Sequence, residues 1–270
     1  QEYYRCFGLH VNMYKIPNNY YFRLHHIRPR FKNNIENVLL YIATEICLIG
    51  EKSEDEFAEE LNKSIRCFPG NSLFKIKTIN NWRTEISALF GLIEYTEKGK
   101  CKQSRLAENL YRRQDLIEFF RFFAYKFQYP GGHLKPSSTL KMINNGVRFK
   151  PAKYLLELLF KATESKGRFG LSKAEATHCI FNDLRVIRGY KNVEEVIDLI
   201  DTNRKKNIEY DSMGDVIRYA GDILDYLVLA DILDLRPNGK YYLKSYELEV
   251  VNSIINSNEY FTGYDNLYGK

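Results

Sequence analysis

TINNWRTEISALFGLIEYTEKGKCKQ, residues 78–103, changes its period part-way through. Ile79, Trp82, Ile86 and Leu89 recur every three or four residues, the spacing that lines one face of a helix, and Gly91 supplies the stop. From Leu92 to Thr96 apolar and polar residues alternate instead, as in a half-buried strand. Glu97-Lys98-Gly99-Lys100 then makes a turn, and Gln103 to Leu106 is placed to return as the partner strand. The stretch predicts a helix running into a two-stranded hairpin.

Upstream, Val38, Leu39, Ile42, Ile46 and Ile49 predict a helix that Gly50 ends. Ser53-Glu54-Asp55-Glu56 reads as a capping box, in which hydroxyl and carboxylate satisfy orphan amides, and predicts a second helix over 53–63. Pro69-Gly70-Asn71 turns the chain, and the third helix is expected to begin near Thr78. Three helices and then a hairpin is the order of a winged helix, the helix-turn-helix variant whose third helix enters the major groove of DNA.

The pattern comes twice. Pro151 to Glu164 is amphipathic, with Pro151 in the first turn, where a missing amide costs nothing. Ser172-Lys173-Ala174-Glu175 is a second capping box, Asp215 to Leu229 a long helix, and Arg236-Pro237-Asn238-Gly239 a turn before a strand over 240–244. Gly99-Lys100 matches Gly239-Lys240 and Ser53 matches Ser172, in the same order, so the two stretches read as an internal repeat. The second copy has room for an additional helix between its second and third, over 193–203, with Val196, Leu199 and Ile200 on one stripe.

Around the copies, residues 1–32 read as an extended basic arm, 33–113 as the first winged-helix subdomain, and 114–150 as a helical linker. Residues 151–256 form the second subdomain and 257–270 a polar tail. Within the linker, Phe119, Phe120, Phe122, Phe123, Tyr125 and Phe127 mark an aromatic helix packed between the two subdomains, followed by a loop over 130–138. The expected fold is mainly α with small β wings (α+β).

Charge is unevenly distributed along the chain. Of a net +6, residues 1–32 contribute six basic side chains against Glu2 alone, and residues 74–113 contribute nine against Glu85, Glu94, Glu97 and Glu108. The remainder is net acidic, so selected segments are suited to a polyanion, although a basic tail also aids solubility. No run approaches the roughly 18 apolar residues of a membrane span, and the N-terminus has no signal-like stretch, which predicts a cytoplasmic protein that does not engage membranes. The five cysteines form no CxxC pair and read as free, mostly buried thiols.

No enzyme constellation emerges. Phosphate-loop, dinucleotide, HExxH and GxSxG motifs are absent. Adjacent His25 and His26 do not converge on one metal, and Glu164-Ser165-Lys166, at a helix end with no aspartate-bearing strand before it, is rejected as a nuclease motif. No cofactor is expected for binding.

Early residues of a third helix face base edges, which selects Thr78, Asn80, Asn81 and Arg83, led in by Lys75 and Lys77. Asn suits bidentate contact with adenine, and Arg with guanine. Trp82, at helical spacing with Ile79 and Ile86, is assigned to the core over base stacking. The second copy offers Arg204, Lys205, Lys206 and Asn207, a run that reads equally as a solvated loop, and then Ser212, Asp215, Arg218 and Tyr219. From the arm come His25, His26, Arg28, Arg30 and Lys32 for groove and phosphate contacts, and from the first wing Lys98, Lys100 and Lys102 for phosphates.

FFRFFAYKFQYP (119–130), Pro151 to Leu159, GLSKAEATHCIF (170–181) and Gly214 to Ile255 together resemble the recognition halves of type IIS restriction and nicking endonucleases. Within that family the chain is similar to the N-terminal recognition domain of the BpuJI type. The resemblance covers about 110–256, while the first 100 residues match in architecture only. It implies a bacterial protein that binds one asymmetric duplex DNA site as a monomer. Cutting is left to a separate nuclease domain, the only part for which Mg²⁺ is expected, so this chain is expected to bind without cutting. Two other readings stay open: a tandem winged-helix replication initiator or transcription regulator, which predicts dimers or repeated sites, and a protein-interaction module, which predicts no salt-dependent DNA binding.

Overall fold

The computed structural model describes residues 12–24, 34–96 and 99–264, which are mainly helical with two antiparallel three-stranded sheets. Unit one starts with α1 (Ile35–Ile49), whose Val38, Leu39, Ile42 and Ile46 are buried. After the two-residue strand β1 (Lys52–Ser53) come α2 (Glu54–Cys67) and α3 (Ile76–Thr84), then a wider turn over Glu85–Leu89. That turn has π-helical pitch, with the Phe90 amide bonding the Glu85 carbonyl at 3.1 Å. Strands β2 (Ile93–Tyr95) and β3 (Lys100–Gln103) complete the unit in the order β1-β3-β2.

Several boundaries differ from expectation. The third helix begins at Ile76, not near Thr78, with Lys75 as the residue that enters it. The return strand is Lys100–Gln103 instead of 103–106, because the Ser104 hydroxyl accepts the Ala107 amide at 3.1 Å and starts another helix, α4 (Arg105–Arg113). At Ser53 the expected capping box closes differently, since its hydroxyl donates to Glu56 Oε2 at 2.6 Å and accepts no amide.

The linker is α5 (Leu116–Lys126), capped by Asp115, which accepts the Glu118 amide at 2.8 Å, and α6 (Pro136–Asn144). A loop was expected over 130–138, but Pro136 sits at the first helical position, where its missing amide is harmless, so it starts a helix. Unit two comprises α7 (Pro151–Lys166), β4 (Gly170–Ser172), α8 (Lys173–Ala176) with a π turn over Thr177–Phe181, and the short α9 (Leu184–Ile187). It continues through α10 (Val193–Lys205), α11 (Gly214–Leu229), β5 (Leu233–Leu235), β6 (Lys240–Leu243) and α12 (Leu248–Ile255), with the sheet order β4-β6-β5. Here the capping box forms in full: Ser172 Oγ accepts the Glu175 amide at 3.1 Å and the Glu175 carboxylate accepts the Ser172 amide at 2.8 Å.

The two sheets share their register. Ile93 pairs with Gln103 as Leu233 pairs with Leu243, and Tyr95 with Cys101 as Leu235 with Tyr241. In front of these strands the Leu92 amide bonds the Ile86 carbonyl, and Ile232 bonds Leu227. Leu227 thus answers Ile86 one residue late, which is the residue that the π turn of unit one accommodates.

One continuous core spans both units. Phe90 at the end of the π turn lies 6.0 Å from Phe119, 5.9 Å from Phe123 and 6.1 Å from Tyr226 of α11, while Phe120 stacks on Tyr226 at 5.4 Å. The aromatic helix therefore holds the C-terminal halves of both third helices. Part of the expected arm is also built in. Phe22 and Leu24 are buried, and residues 12–24 bond to unit two through Tyr14 N to Glu209 O (2.8 Å), Glu209 N to Asn12 O (3.0 Å) and Phe22 N to Asn182 O (2.9 Å). At the other end, the buried Lys150 ammonium donates to Ser257 Oγ at 2.9 Å and to the Ser257 and Glu259 carbonyls, pinning the start of the tail.

Candidate nucleic-acid interface

In unit one the apolar face of α3 points inward through Ile79, Trp82 and Ile86, so residues between them face outward by helical periodicity. Lys75, Lys77 and Asn80 are exposed, and Thr78, Asn81 and Arg83 are half-buried. Trp82 sits against Phe68 and Phe74 as a core residue. Arg83 is tethered, its Nη1 donating to Asn62 Oδ1 at 3.0 Å. On the β2–β3 hairpin, Lys100 meets Glu51 at 3.1 Å and Lys102 meets Glu94 at 3.5 Å. Lys98 and the arm residues His25, His26, Arg28, Arg30 and Lys32 lie outside the described residues.

In unit two α11 is buried from Tyr219 to Leu224, so only its first turn is open, a shorter exposed edge than its length suggests. Ser212 and Asp215 are exposed there, with Arg218 half-buried behind them. The structure adds Arg23 from the N-terminal segment, whose Nη2 donates to the Asp215 carbonyl at 2.7 Å. Arg204 is withdrawn from the surface. Its guanidinium spans both Glu175 oxygens, at 2.7 and 2.9 Å, and reaches the Gly170 carbonyl. Burial alone would raise the Glu175 pKa, but the Arg204 hydrogen bond and charge and the Ser172 amide outweigh it and hold the carboxyl below its ordinary range. Lys205, Lys206 and Asn207 are exposed at the end of α10, a different element from the α11 turn, and Lys205 lies 3.3 Å from Asp201.

Two polar helix starts, one rich in lysine and asparagine and the other in serine, aspartate and arginine, thus sit on units that share one core. The chain matches the family described as restriction endonuclease BpuJI, N terminal, over residues 14–270. It belongs to that family. Among solved structures, this BpuJI N-terminal-family chain is similar to the BpuJ1 endonuclease binding domain, determined in complex with pyrene- and phenanthrene-modified DNA. The match is at 25% identity with a TM-score of 0.83 and covers 92% of each chain. No curated protein matches.

Sequence reasoning passed over three arginines of this BpuJI-family domain, Arg23, Arg168 and Arg236. Arg168 and Arg236 lie over the ring of Tyr242, at 5.3 and 4.4 Å, although Arg236 stands in the turn before β6 that the repeat had marked. Their pairing joins residues far apart in sequence, so spacing carried no signal. Among the described residues, no three His, Cys, Asp or Glu side chains gather to hold a metal, and no helix is long and apolar enough to cross a membrane. Of the cysteines, Cys101 and Cys179 are buried, and burial pushes the Cys179 thiol up to about 12; Cys67 is exposed, and Cys6 lies outside the described residues.

Proposed function

We propose that the chain reads one asymmetric duplex DNA site as the recognition part of a type IIS restriction endonuclease, with both units acting as winged helices. The observation that carries this is the pair of unequal helix starts in one repeated frame. Lys75, Lys77 and Asn80 open α3, whereas Ser212, Asp215 and Arg218 open α11, within sheets of the same strand order. Equal starts would suit a palindrome, while unequal ones on one chain suit a sequence without symmetry. The relative solved with DNA supports the choice of partner. Binding requires no cofactor, and Mg²⁺ belongs to a nuclease domain that would cut elsewhere.

Selection from a pool of random duplexes, followed by sedimentation of the complex, tests this. A single consensus without two-fold symmetry, bound one chain per duplex, is the expected result. A palindromic consensus bound by a dimer contradicts it and favours the regulator or initiator reading.

A further inference from the structure

Building on that reading, we propose that unit two grips the DNA backbone, and the hairpin of unit one does not, through two pairs of arginines each laid against a tyrosine. The first pair is Arg168 and Arg236, over Tyr242 at 5.3 and 4.4 Å. Tyr242 is fixed from two sides. Its hydroxyl accepts the Asn238 amide nitrogen at 2.9 Å, and its ring lies so close across Gly170, its ladder partner, that a Cβ there would meet it at 2.3 Å. The second pair is Arg23 and Arg218, over Tyr219 at 5.4 and 4.8 Å, with Arg218 Nη2 donating to the Tyr219 hydroxyl at 2.9 Å. None of these four guanidiniums has a carboxylate partner among the described residues.

Several acids of unit two are already matched. Lys244 pairs with Asp231 and Asp234, Lys173 with Asp225, and Arg204 with Glu175. The arginines are thus surplus positive charge, held by aromatic faces that leave guanidinium donors open. Stacking removes rotamer freedom before a ligand arrives, which lowers the entropic cost of a phosphate contact. The hairpin of unit one is built the other way. Its wing lysines, Lys100 and Lys102, stand beside Glu51 and Glu94, so even if a lysine swings to a phosphate, the glutamate it leaves still repels that phosphate. Asp211 and Asp215 belong to the turn at Arg23 and Arg218, so the wing pair is the stronger of the two.

The test measures binding to a mixed-sequence duplex of about 30 base pairs across a salt series, where each lost phosphate contact flattens the log–log slope by about 0.9. For Arg168→Gln with Arg236→Gln, raising salt from about 50 to about 200 mM should weaken binding roughly tenfold less than in the parent chain. Arg23→Gln with Arg218→Gln should show a smaller change of the same sign. Lys100→Gln with Lys102→Gln should leave the slope as it is. Tyr242→Leu, which keeps every charge, should lower affinity by freeing both arginines. Arg168→Gln alone, at an exposed position, serves where a double variant fails to fold. If the parent binds with a steep slope that the arginine variants retain, or that the lysine pair flattens equally, the assignment to unit two is wrong and DNA binding stands. A parent chain without salt-dependent binding removes the functional reading itself, and this inference with it.

Discussion

Ser172 stands opposite Lys240 across the β4–β6 ladder, and Ser53 stands opposite Lys100 across β1–β3. Each serine also leads into the second helix of its unit, and each lysine opens the last strand after a turn that closes alike. The Gly99 amide bonds the Thr96 carbonyl, and the Gly239 amide bonds Arg236. Residues that the sequence places about 47 and 68 apart are thus ladder partners in both units. The repeat is one structural frame used twice, with different side chains at the exposed helix start.

At that start, Asn80 is exposed on α3 and Arg83 is tied to Asn62, so the two should behave differently. Asn80→Ala is expected to relax discrimination at a single base pair by about 1–3 kcal/mol, with others unchanged. Competition among singly substituted versions of the selected duplex measures this. A uniform loss across all positions would place Asn80 on the backbone instead.

The buried Glu175 and the half-buried Arg204 form an ion pair that ties the α8 cap to α10. Glu175→Gln leaves the guanidinium without its counter-charge and should cost about 3 kcal/mol, read by denaturant unfolding. Because the folded carboxyl titrates below its ordinary value of about 4.3, its stabilisation is complete above that pH and is lost as pH falls through the lowered value. The parent chain should therefore lose stability on acidification more steeply than Glu175→Gln does. Parallel acid limbs would refute the assignment.

Phe120 is fully buried and stacks on Tyr226, joining linker to unit two, while its neighbour Phe119 meets Phe90 of unit one. Phe120→Ala is expected to cost about 3–5 kcal/mol through lost burial and the cavity left behind. Since one core spans both units, the parent should melt in a single cooperative transition, and the variant at a lower temperature. Calorimetry resolving two well-separated transitions in the parent would show that the units unfold independently.

Lys150 is a buried ammonium satisfied by the Ser257 hydroxyl and two tail carbonyls, one of them that of Glu259. Lys150→Met keeps the length of the side chain but leaves those acceptors without a donor. Limited proteolysis should then cut near 256–261 several-fold faster than in the parent, with the remainder equally resistant. An unchanged cleavage rate would show that Lys126 to Glu259 and Gln128 to Phe261 hold the tail without it.

Local pattern alone determined most of the helices. The i, i+3, i+4 spacing of Val38, Ile42 and Ile46, the Ser172 box and the stripe through Val196 and Ile200 each specify an element whose hydrogen bonds close within a few residues. The repeat was legible for the same reason, since turns such as Gly99-Lys100 and Gly239-Lys240 are short-range chemistry. Strand β1 escaped notice because two residues have no period, and α4 because Ser104 looked like the end of a strand instead of a cap. What only the tertiary structure decided is which charges remain open. Arg204 and Arg236 look alike as residues, yet one is bound to a buried carboxylate and the other rests on a tyrosine ring. The difference comes from partners 29 and 6 residues away in sequence that only the folded chain brings within reach of a guanidinium. Electrostatics is settled by distances in space, and spacing along the chain does not encode them.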